Sequence, residues 1–277
     1  CGSGTSLVEA NLRGINAVGT DLNPLARLLS IAKTSVVPVP LLDEHIALFS
    51  DKVFRNRFLG EINAQIKLPT FKNIDFWFSD DVQKQLAYVK EYVESISNTE
   101  IKNFFKVAFS ETVRDVSWTR NGEFKLFRMT EKSRSAHSPD VLGIMEGKLH
   151  RCRKGLVGFL QDRKGNANSR VCDFNTVDSV PRDIIEPESV DIVVTSPPYG
   201  DSHTTVAYGQ FSRLSSQWLG LENAERIDNL LMGGRRMGKR MPFGIEPLDK
   251  AIADISAQDS KRVEEVISFY DDYKSSI

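Results

Sequence analysis

The apolar run at positions 190–195, which ends directly at the sequence Ser-Pro-Pro-Tyr, constrains the fold of this chain more than any other feature. A short and almost wholly apolar run predicts a strand buried on both faces, and such strands are typical of parallel sheets covered by helices. Two further strands are predicted at 15–20 and 169–172. We therefore expect an α/β protein with an open parallel sheet.

Composition excludes several other classes of protein. With 277 residues, 40% hydrophobic and 26% charged, the chain is neither collagen-like nor disordered nor a small disulfide scaffold. It has no run of about 18 apolar residues, so we expect no transmembrane helix and no membrane partner. The three cysteines form no Cys-x-x-Cys pair, which argues against a metal site and favours a reduced, cytoplasmic protein.

A glycine-containing loop opens the chain and leads directly into a predicted helix from Thr5 to about Leu12. Glycines allow the backbone to approach a ligand closely, and the start of a helix offers unpaired N–H groups. Asp21 follows the first predicted strand, 19 residues after Gly2, where an acid can accept hydrogen bonds from ribose hydroxyls. Asp173 follows the second predicted strand. These positions predict an adenosine-containing cofactor, while a structural turn with a helix-capping Asp21 is the alternative.

The Ser-Pro-Pro-Tyr sequence at 196–199 predicts a pocket for a planar group that carries an NH2. The two prolines have no N–H and fix the backbone, which leaves carbonyl oxygens free to accept hydrogen bonds. The hydroxyl of Ser196 adds a polar group, and the ring of Tyr199 can stack on a flat ligand. A plain proline turn after a strand is the alternative explanation of the same residues.

Together, the two motifs resemble those of the amino-methylating DNA methyltransferases that use S-adenosylmethionine. The loop Cys1-Gly2-Ser3-Gly4-Thr5 is similar to the end of their cofactor motif, and Ser196-Pro197-Pro198-Tyr199 is similar to their catalytic motif. The resemblance covers about residues 1–34 and 166–220 and implies a Rossmann-like class I methyltransferase sheet. The serine form of the catalytic motif is most similar to that of enzymes that methylate cytosine N4.

The resemblance also implies a role for each matching residue. The cofactor would be held by Cys1, Gly2, Ser3, Gly4 and Thr5 at its methionine end, by Asp21 and Leu22 at its ribose and adenine, and by Asp173 and Phe174 at the adenine edge and face. The catalytic pocket would consist of Ser196, Pro197, Pro198 and Tyr199. Ser196 and the Pro197 carbonyl would hold the target amine for direct attack on the sulfonium methyl, after the nucleotide has flipped out of the duplex.

Double-stranded DNA is the substrate that this resemblance implies, in a restriction-modification system whose cognate restriction enzyme would be a partner. Three alternatives stay open: methylation of adenine N6 in DNA, methylation of an RNA amine, and a non-catalytic relative that only binds nucleic acid. Methylation of cytosine at carbon 5 is not expected, because that chemistry needs a Pro-Cys sequence and this chain has none.

Two basic clusters are candidates for contact with nucleic-acid phosphates. Between Arg120 and Arg170, twelve Lys and Arg stand against five Asp and Glu, although the formal net charge of the whole chain is −1. The second cluster lies among glycines and consists of Arg235, Arg236, Lys239 and Arg240. Local basic surface binds phosphates even when a chain is neutral as a whole.

The motifs divide the chain into three parts. Residues 1–34 are expected to form the cofactor-binding half of a methyltransferase core, and 166–277 its catalytic half. Residues 35–165 are expected to form a large, mainly helical insertion that is also a candidate DNA-contacting region. Because the chain starts inside the cofactor motif and no strand is predicted after 195, we expect a sheet truncated at both ends and a fragment that is inactive by itself.

The spacing of apolar residues predicts the helices outside the sheet. Within the insertion, helices are predicted over 82–96, 101–113 and 142–159, and Asn121-Gly122 indicates a hairpin turn. The segment 36–42, with two prolines, is expected to be an extended connector. Beyond 195, helices are predicted at about 222–232 and 260–275.

Overall fold

The protein is mostly helical and contains one small parallel sheet. The computed structural model describes residues 1–60, 62, 66–120, 122, 125–196, 208–232 and 242–277, together with all their side chains except that of Lys261. Several residues singled out in the sequence lie outside the described residues: Pro197, Pro198, Tyr199, Arg235, Arg236, Lys239 and Arg240. Within the described part of the chain, no helix is both long enough and apolar enough to cross a membrane.

The first three elements are those that the sequence predicts. They are α1 (Thr5–Leu12), β1 (Ala17–Thr20) and α2 (Pro24–Thr34). The side chain of Asn23 caps α2 by accepting a hydrogen bond from the backbone N–H of Leu25 at 3.0 Å, and Pro24 occupies the first turn. The strand β1 pairs in parallel with β2 (Ser169–Cys172), and Thr20 lies opposite Cys172. Both strands therefore end at the same edge of the sheet.

Six helices lie between β1 and β2 after α2: α3 (Val39–Leu59), α4 (Ile74–Trp77), α5 (Asp80–Ser95), α6 (Thr99–Val116), α7 (Glu131–Ser135) and α8 (Val141–Asp162). The three helices predicted in the insertion are thus confirmed. The prediction of an extended connector over 36–42 is wrong beyond Pro38, because α3 already begins at Val39. Pro40 is tolerated there, since the first N–H groups of a helix have no partner within it.

In the part of the chain that the structure describes, four helices follow β2: α9 (Tyr208–Leu219), α10 (Ile227–Leu230), α11 (Glu246–Gln258) and α12 (Ser260–Ser276). The predicted helix at 260–275 is confirmed, whereas the helix predicted over 222–232 is reduced to four residues. Helices α9 and α11 were not predicted. Helix α9 buries three serines, Ser212, Ser215 and Ser216, beside the apolar residues Leu214, Trp218 and Leu219.

The predicted strand over 190–195 is wrong in this structure. The segment forms no strand with any described residue, and Ile192, Val193 and Val194 are each more than 70% exposed. Strand preference depends on a neighbouring strand and on burial of both faces. The described residues supply neither for this segment, so its apolar composition alone does not make it a strand.

The main hydrophobic core is centred on α6 and includes residues of α2, before the insertion, and of α9, after β2. Helix α6 packs against α2, α5, α8 and α9. Trp218 of α9 is fully buried, and its ring meets those of Phe71, Phe78 and Phe109 at centroid distances of 5.8, 5.6 and 6.3 Å. Helices α11 and α12 pack on each other in a separate small cluster around Ile252 and Ile267. The helices between the strands and the helix α9 therefore share one core.

Candidate cofactor site

The opening loop adopts a conformation that requires glycine. Gly2 and Gly4 have φ angles of 54° and 79°, in the left-handed region that L-residues with side chains rarely adopt. The backbone N–H of Gly4 donates to the carbonyl oxygen of Cys1 at 3.0 Å, which closes a tight turn just before α1. A Cβ added to Gly4 would lie 2.8 Å from the Cα of Ser30, so glycine lets α1 start directly against α2.

The carboxylate of Asp21 connects this loop to the end of β1. Its Oδ2 accepts a hydrogen bond from the backbone N–H of Gly2 at 2.8 Å and lies 3.3 Å from the backbone nitrogen of Cys1. Its Oδ1 accepts from the backbone N–H of Asn23 at 2.9 Å. Asp21 therefore also holds the start of α2, as the structural alternative from the sequence proposed. A carboxylate has about four acceptor positions, so Asp21 can still accept hydrogen bonds from a ligand.

The second predicted acid lies at the same edge of the sheet. Thr20 and Cys172 are opposite each other, and the backbone N–H of Asp21 donates to the carbonyl oxygen of Cys172 at 3.2 Å. Asp173 follows directly and is exposed, and the side chain of Thr20 donates to the carbonyl oxygen of Phe174. The structure thus brings the loop, Asp21 and the Asp173–Phe174 pair to one edge, as the sequence predicts for their backbone positions.

Three side chains on one face of α2 also contact the loop and the residues that follow β1. Arg27 donates to the carbonyl oxygens of Asp21 and Leu22 at 2.8 and 3.1 Å. The hydroxyl of Ser30 donates to the carbonyl oxygen of Gly2 at 3.2 Å, and Lys33 Nζ donates to that of Ser3 at 2.8 Å.

Sequence reasoning missed these three contacts from Arg27, Ser30 and Lys33. Their spacing of three residues places them on one side of a helix, and this was the available signal. These three side chains hold the backbone of the loop and of the residues that follow β1 from the side of α2. The shape of the loop therefore depends on α2 as well as on its own glycines.

The catalytic motif is described only at its first residue. Ser196 is exposed, and within the described residues no hydrogen bond joins it to the loop or to Asp21. Helix α9, which begins nine residues after Tyr199, is attached to the cofactor side. The buried side chain of Asn23 donates through Nδ2 to the hydroxyl of Ser212 at 3.1 Å. The helix that follows the motif is therefore connected to Asn23, beside the edge that carries Asp21.

Comparison with known proteins gives one informative match. The chain is 38% identical to the Type II methyltransferase M.MvaI of Kocuria varians, over an alignment of 292 positions that covers 100% of this chain and 64% of the relative. The chain thus spans somewhat less than two thirds of the length of that protein. No family model matches, and no solved structure matches. The resemblance to a methyltransferase that the two motifs indicate is confirmed, since the similarity to this Type II methyltransferase extends over the whole length of the chain.

Proposed function

We propose that the protein is an S-adenosylmethionine-dependent methyltransferase that modifies an exocyclic amine of a base in DNA, with N4 of cytosine as the target. The observation that carries this proposal is the joining of the glycine loop to the carboxylate of Asp21 at the shared edge of β1 and β2. The same chain carries the Ser-Pro-Pro-Tyr motif and is similar throughout to a Type II methyltransferase.

The described residues fit an adenosine-containing cofactor. Gly4 leaves no room for a side chain, and the start of α1 has no side-chain cap, so N–H groups of its first turn can bind a carboxylate. Asp21 keeps acceptor capacity for ribose hydroxyls, and Asp173 is exposed beside it for the amino group of adenine. Phe174 is half-buried and would offer a ring to the base.

The protein residues would act mainly by positioning. When bound, S-adenosylmethionine supplies an electrophilic methyl group. Ser196 and the carbonyl oxygen of Pro197 would accept hydrogen bonds from the target amine and orient its lone pair, and Tyr199 would stack on the flipped base. Orientation of this kind can supply roughly 7–11 kcal/mol of the barrier reduction.

The proposal also covers the fold of the sheet, the partners and the contacts with DNA. The short sheet would be part of a Rossmann-like class I methyltransferase sheet, with 1–34 and 166–277 as its two halves and 35–165 as an insertion. The partners would be double-stranded DNA and a cognate restriction enzyme. Arg235, Arg236, Lys239 and Arg240 would contact phosphates of the DNA backbone.

Transfer of an isotope-labelled methyl group tests the reaction class. The full-length protein would be incubated with labelled S-adenosylmethionine and either duplex DNA or RNA of the same sequence. We expect label in DNA, and we expect its loss in Ser196→Ala. Label in RNA alone would replace DNA by RNA as the substrate, and cofactor binding without any label transfer would favour a non-catalytic relative.

A further inference from the structure

Several cations in the basic stretch that begins at Arg120 form no ion pair with an acid of the described residues. We define the basic arm as residues 118–120 and 125–135. It contains Arg120, Lys125, Arg128, Lys132 and Arg134, and its only acid is Glu131. None of these five cations forms an ion pair with a carboxylate of the described residues.

Several other arginines of the described chain form ion pairs with an Asp or Glu: Arg13, Arg55, Arg57, Arg151 and Arg153. Other exposed arginines, such as Arg170, Arg182 and Arg226, form none among the described residues. The basic arm therefore differs from the rest of the described surface in the clustering of its unpaired cations.

Two guanidinium groups of the arm are held on the ring of Trp118. The Cζ atoms of Arg128 and Arg134 lie 5.2 and 5.3 Å from its centroid, and Arg128 also lies 3.9 Å from the centroid of Phe76. Stacking on aromatic rings keeps a guanidinium planar and in place. The Nε atoms of both arginines are buried and have no hydrogen-bond partner among the described residues.

This arrangement has an electrostatic cost that an anion would remove. Burial, together with the positive charge of Arg134, lowers the pKa of Arg128. Two like charges on one ring repel each other, and an anion between them would turn this repulsion into attraction. Arginine forks match the oxygens of a phosphate in a bidentate way, so a phosphodiester group fits the site better than a single carboxylate oxygen would.

The backbone of the arm is fixed by hydrogen bonds, and one of them attaches it to α9. The N–H of Trp118 donates to the carbonyl oxygen of Trp77 at 2.8 Å, and the N–H of Met129 donates to that of Trp118 at 2.8 Å. The N–H of Leu126 donates to the side chain of Gln210 in the first turn of α9 at 3.3 Å. Helix α9 also bonds to Asn23 beside the candidate cofactor site, so the arm and that site are attached to the same helix.

We propose that Arg128 and Arg134, held on Trp118, form a clamp for one phosphate of the DNA backbone beside the target base. This inference rests on the proposed function and names the surface that positions its substrate. The partner is duplex DNA, because the chain is similar throughout to a Type II methyltransferase and the cations of the arm form no ion pair with a carboxylate of the described residues.

A salt titration of DNA binding tests the clamp. The affinity for a short fluorescent duplex would be measured against salt concentration for the wild type and for the double variant Arg128→Gln/Arg134→Gln. We expect about a tenfold loss of affinity at moderate salt and a slope of log K against log salt that is smaller by about 1, the change for one lost phosphate contact. Thermal unfolding of each protein shows whether the variant is folded.

Two further variants sharpen the result. Lys250→Gln/Lys274→Gln removes the same charge from exposed positions on α11 and α12, outside both basic clusters, and should leave the slope unchanged. Arg128→Lys/Arg134→Lys keeps the charge but loses the fork, so it should keep the wild-type slope with weaker binding. Equal losses in the arm and control variants, or a lysine pair that behaves like the glutamine pair, would contradict the clamp.

Methyl transfer, measured on the same proteins, separates this proposal from the proposed function. Wild-type methylation of DNA together with an unchanged slope in Arg128→Gln/Arg134→Gln would overturn the clamp alone. A reduced slope in a protein that transfers no methyl group would overturn the enzymatic proposal alone. Binding of duplex RNA but not of duplex DNA by the wild type would overturn the clamp as a DNA contact.

Discussion

Asp21 holds the loop in place and, in the proposed function, would also bind the cofactor. Its carboxylate accepts hydrogen bonds from Gly2 and Asn23, so it joins the loop, β1 and the start of α2. No side-chain cation of the described residues forms an ion pair with Asp21, so the acceptor positions that these bonds leave free are available to a ligand. In the proposed function, local structure and cofactor binding would depend on the same side chain.

Replacing Asp21 by Ala should weaken S-adenosylmethionine binding about tenfold or more, because it removes charged acceptors for ribose hydroxyls and frees the loop. Isothermal titration calorimetry measures the affinity directly. Asp162→Ala is the matched control, since this exposed acid lies at the end of α8, away from the loop. If Asp21→Ala binds the cofactor as tightly as the wild type, Asp21 is only a structural residue.

Replacing Gly4 by Ala tests whether the backbone conformation of the loop requires glycine. Alanine at this position combines an unfavourable positive φ with a close contact to Ser30, and we expect a loss of about 2–4 kcal/mol in the free energy of unfolding. Gly165→Ala is a matched control, because Gly165 has a φ of 59° and no atom lies within 4 Å of the added Cβ. Denaturant unfolding should show a loss of only about 1 kcal/mol there. Equal losses would mean that close packing of α1 on α2 is not important.

Among the secondary-structure elements, the sequence predicted those whose signals are local. Asn23 and Pro24 mark the start of α2, and the repeating apolar residues of α5, α6 and α8 mark helices that bury one side. Helix α9 was not predicted, and its buried side contains serines as well as apolar residues. The predicted strand over 190–195 is wrong because a strand needs a neighbouring strand to pair with. The loop and Asp21 could be placed from spacing, whereas Arg27, Ser30 and Lys33 became visible only when α2 was seen against the loop.

Helices α6 and α8 are joined by a half-buried group of charges. Lys148 is buried and lies 3.0 Å from Glu111 and within ion-pair distance of Asp115, and Arg151 also pairs with Glu111. Burial alone would raise the pKa of Glu111, but hydrogen bonds from Lys148 and Arg151 bring that pKa below its usual value.

The lowered pKa of Glu111 has a defined consequence for stability against pH. The contribution of Glu111 is fully present above the usual carboxyl pKa and is lost as the pH falls through the lowered value. Lys148→Met should cost about 1–2 kcal/mol of unfolding free energy at neutral pH, and the difference from the wild type should shrink in acid. Thermal or urea unfolding across pH measures this, and a difference that grows in acid would contradict the ion-pair account.

For the molecule as a whole, the shared core links the cofactor side to the helices between the strands. Trp218 of α9 packs among Phe71, Phe78 and Phe109, while Asn23 bonds to Ser212 on the same helix. Trp218→Ala should therefore lower the free energy of unfolding by about 3–5 kcal/mol. Circular dichroism and intrinsic fluorescence should report one common transition, and two separate transitions would show that the two regions are independent.

The central claim is methylation of an exocyclic amine in DNA, and analysis of the product nucleosides tests it most directly. Duplex DNA would be incubated with the full-length protein and S-adenosylmethionine, digested, and analysed by mass spectrometry. We predict N4-methylcytosine, and we predict that it disappears in Tyr199→Ala. N6-methyladenine would keep the reaction and overturn the assigned base, and the absence of any methylated amine despite measurable cofactor binding would contradict the account.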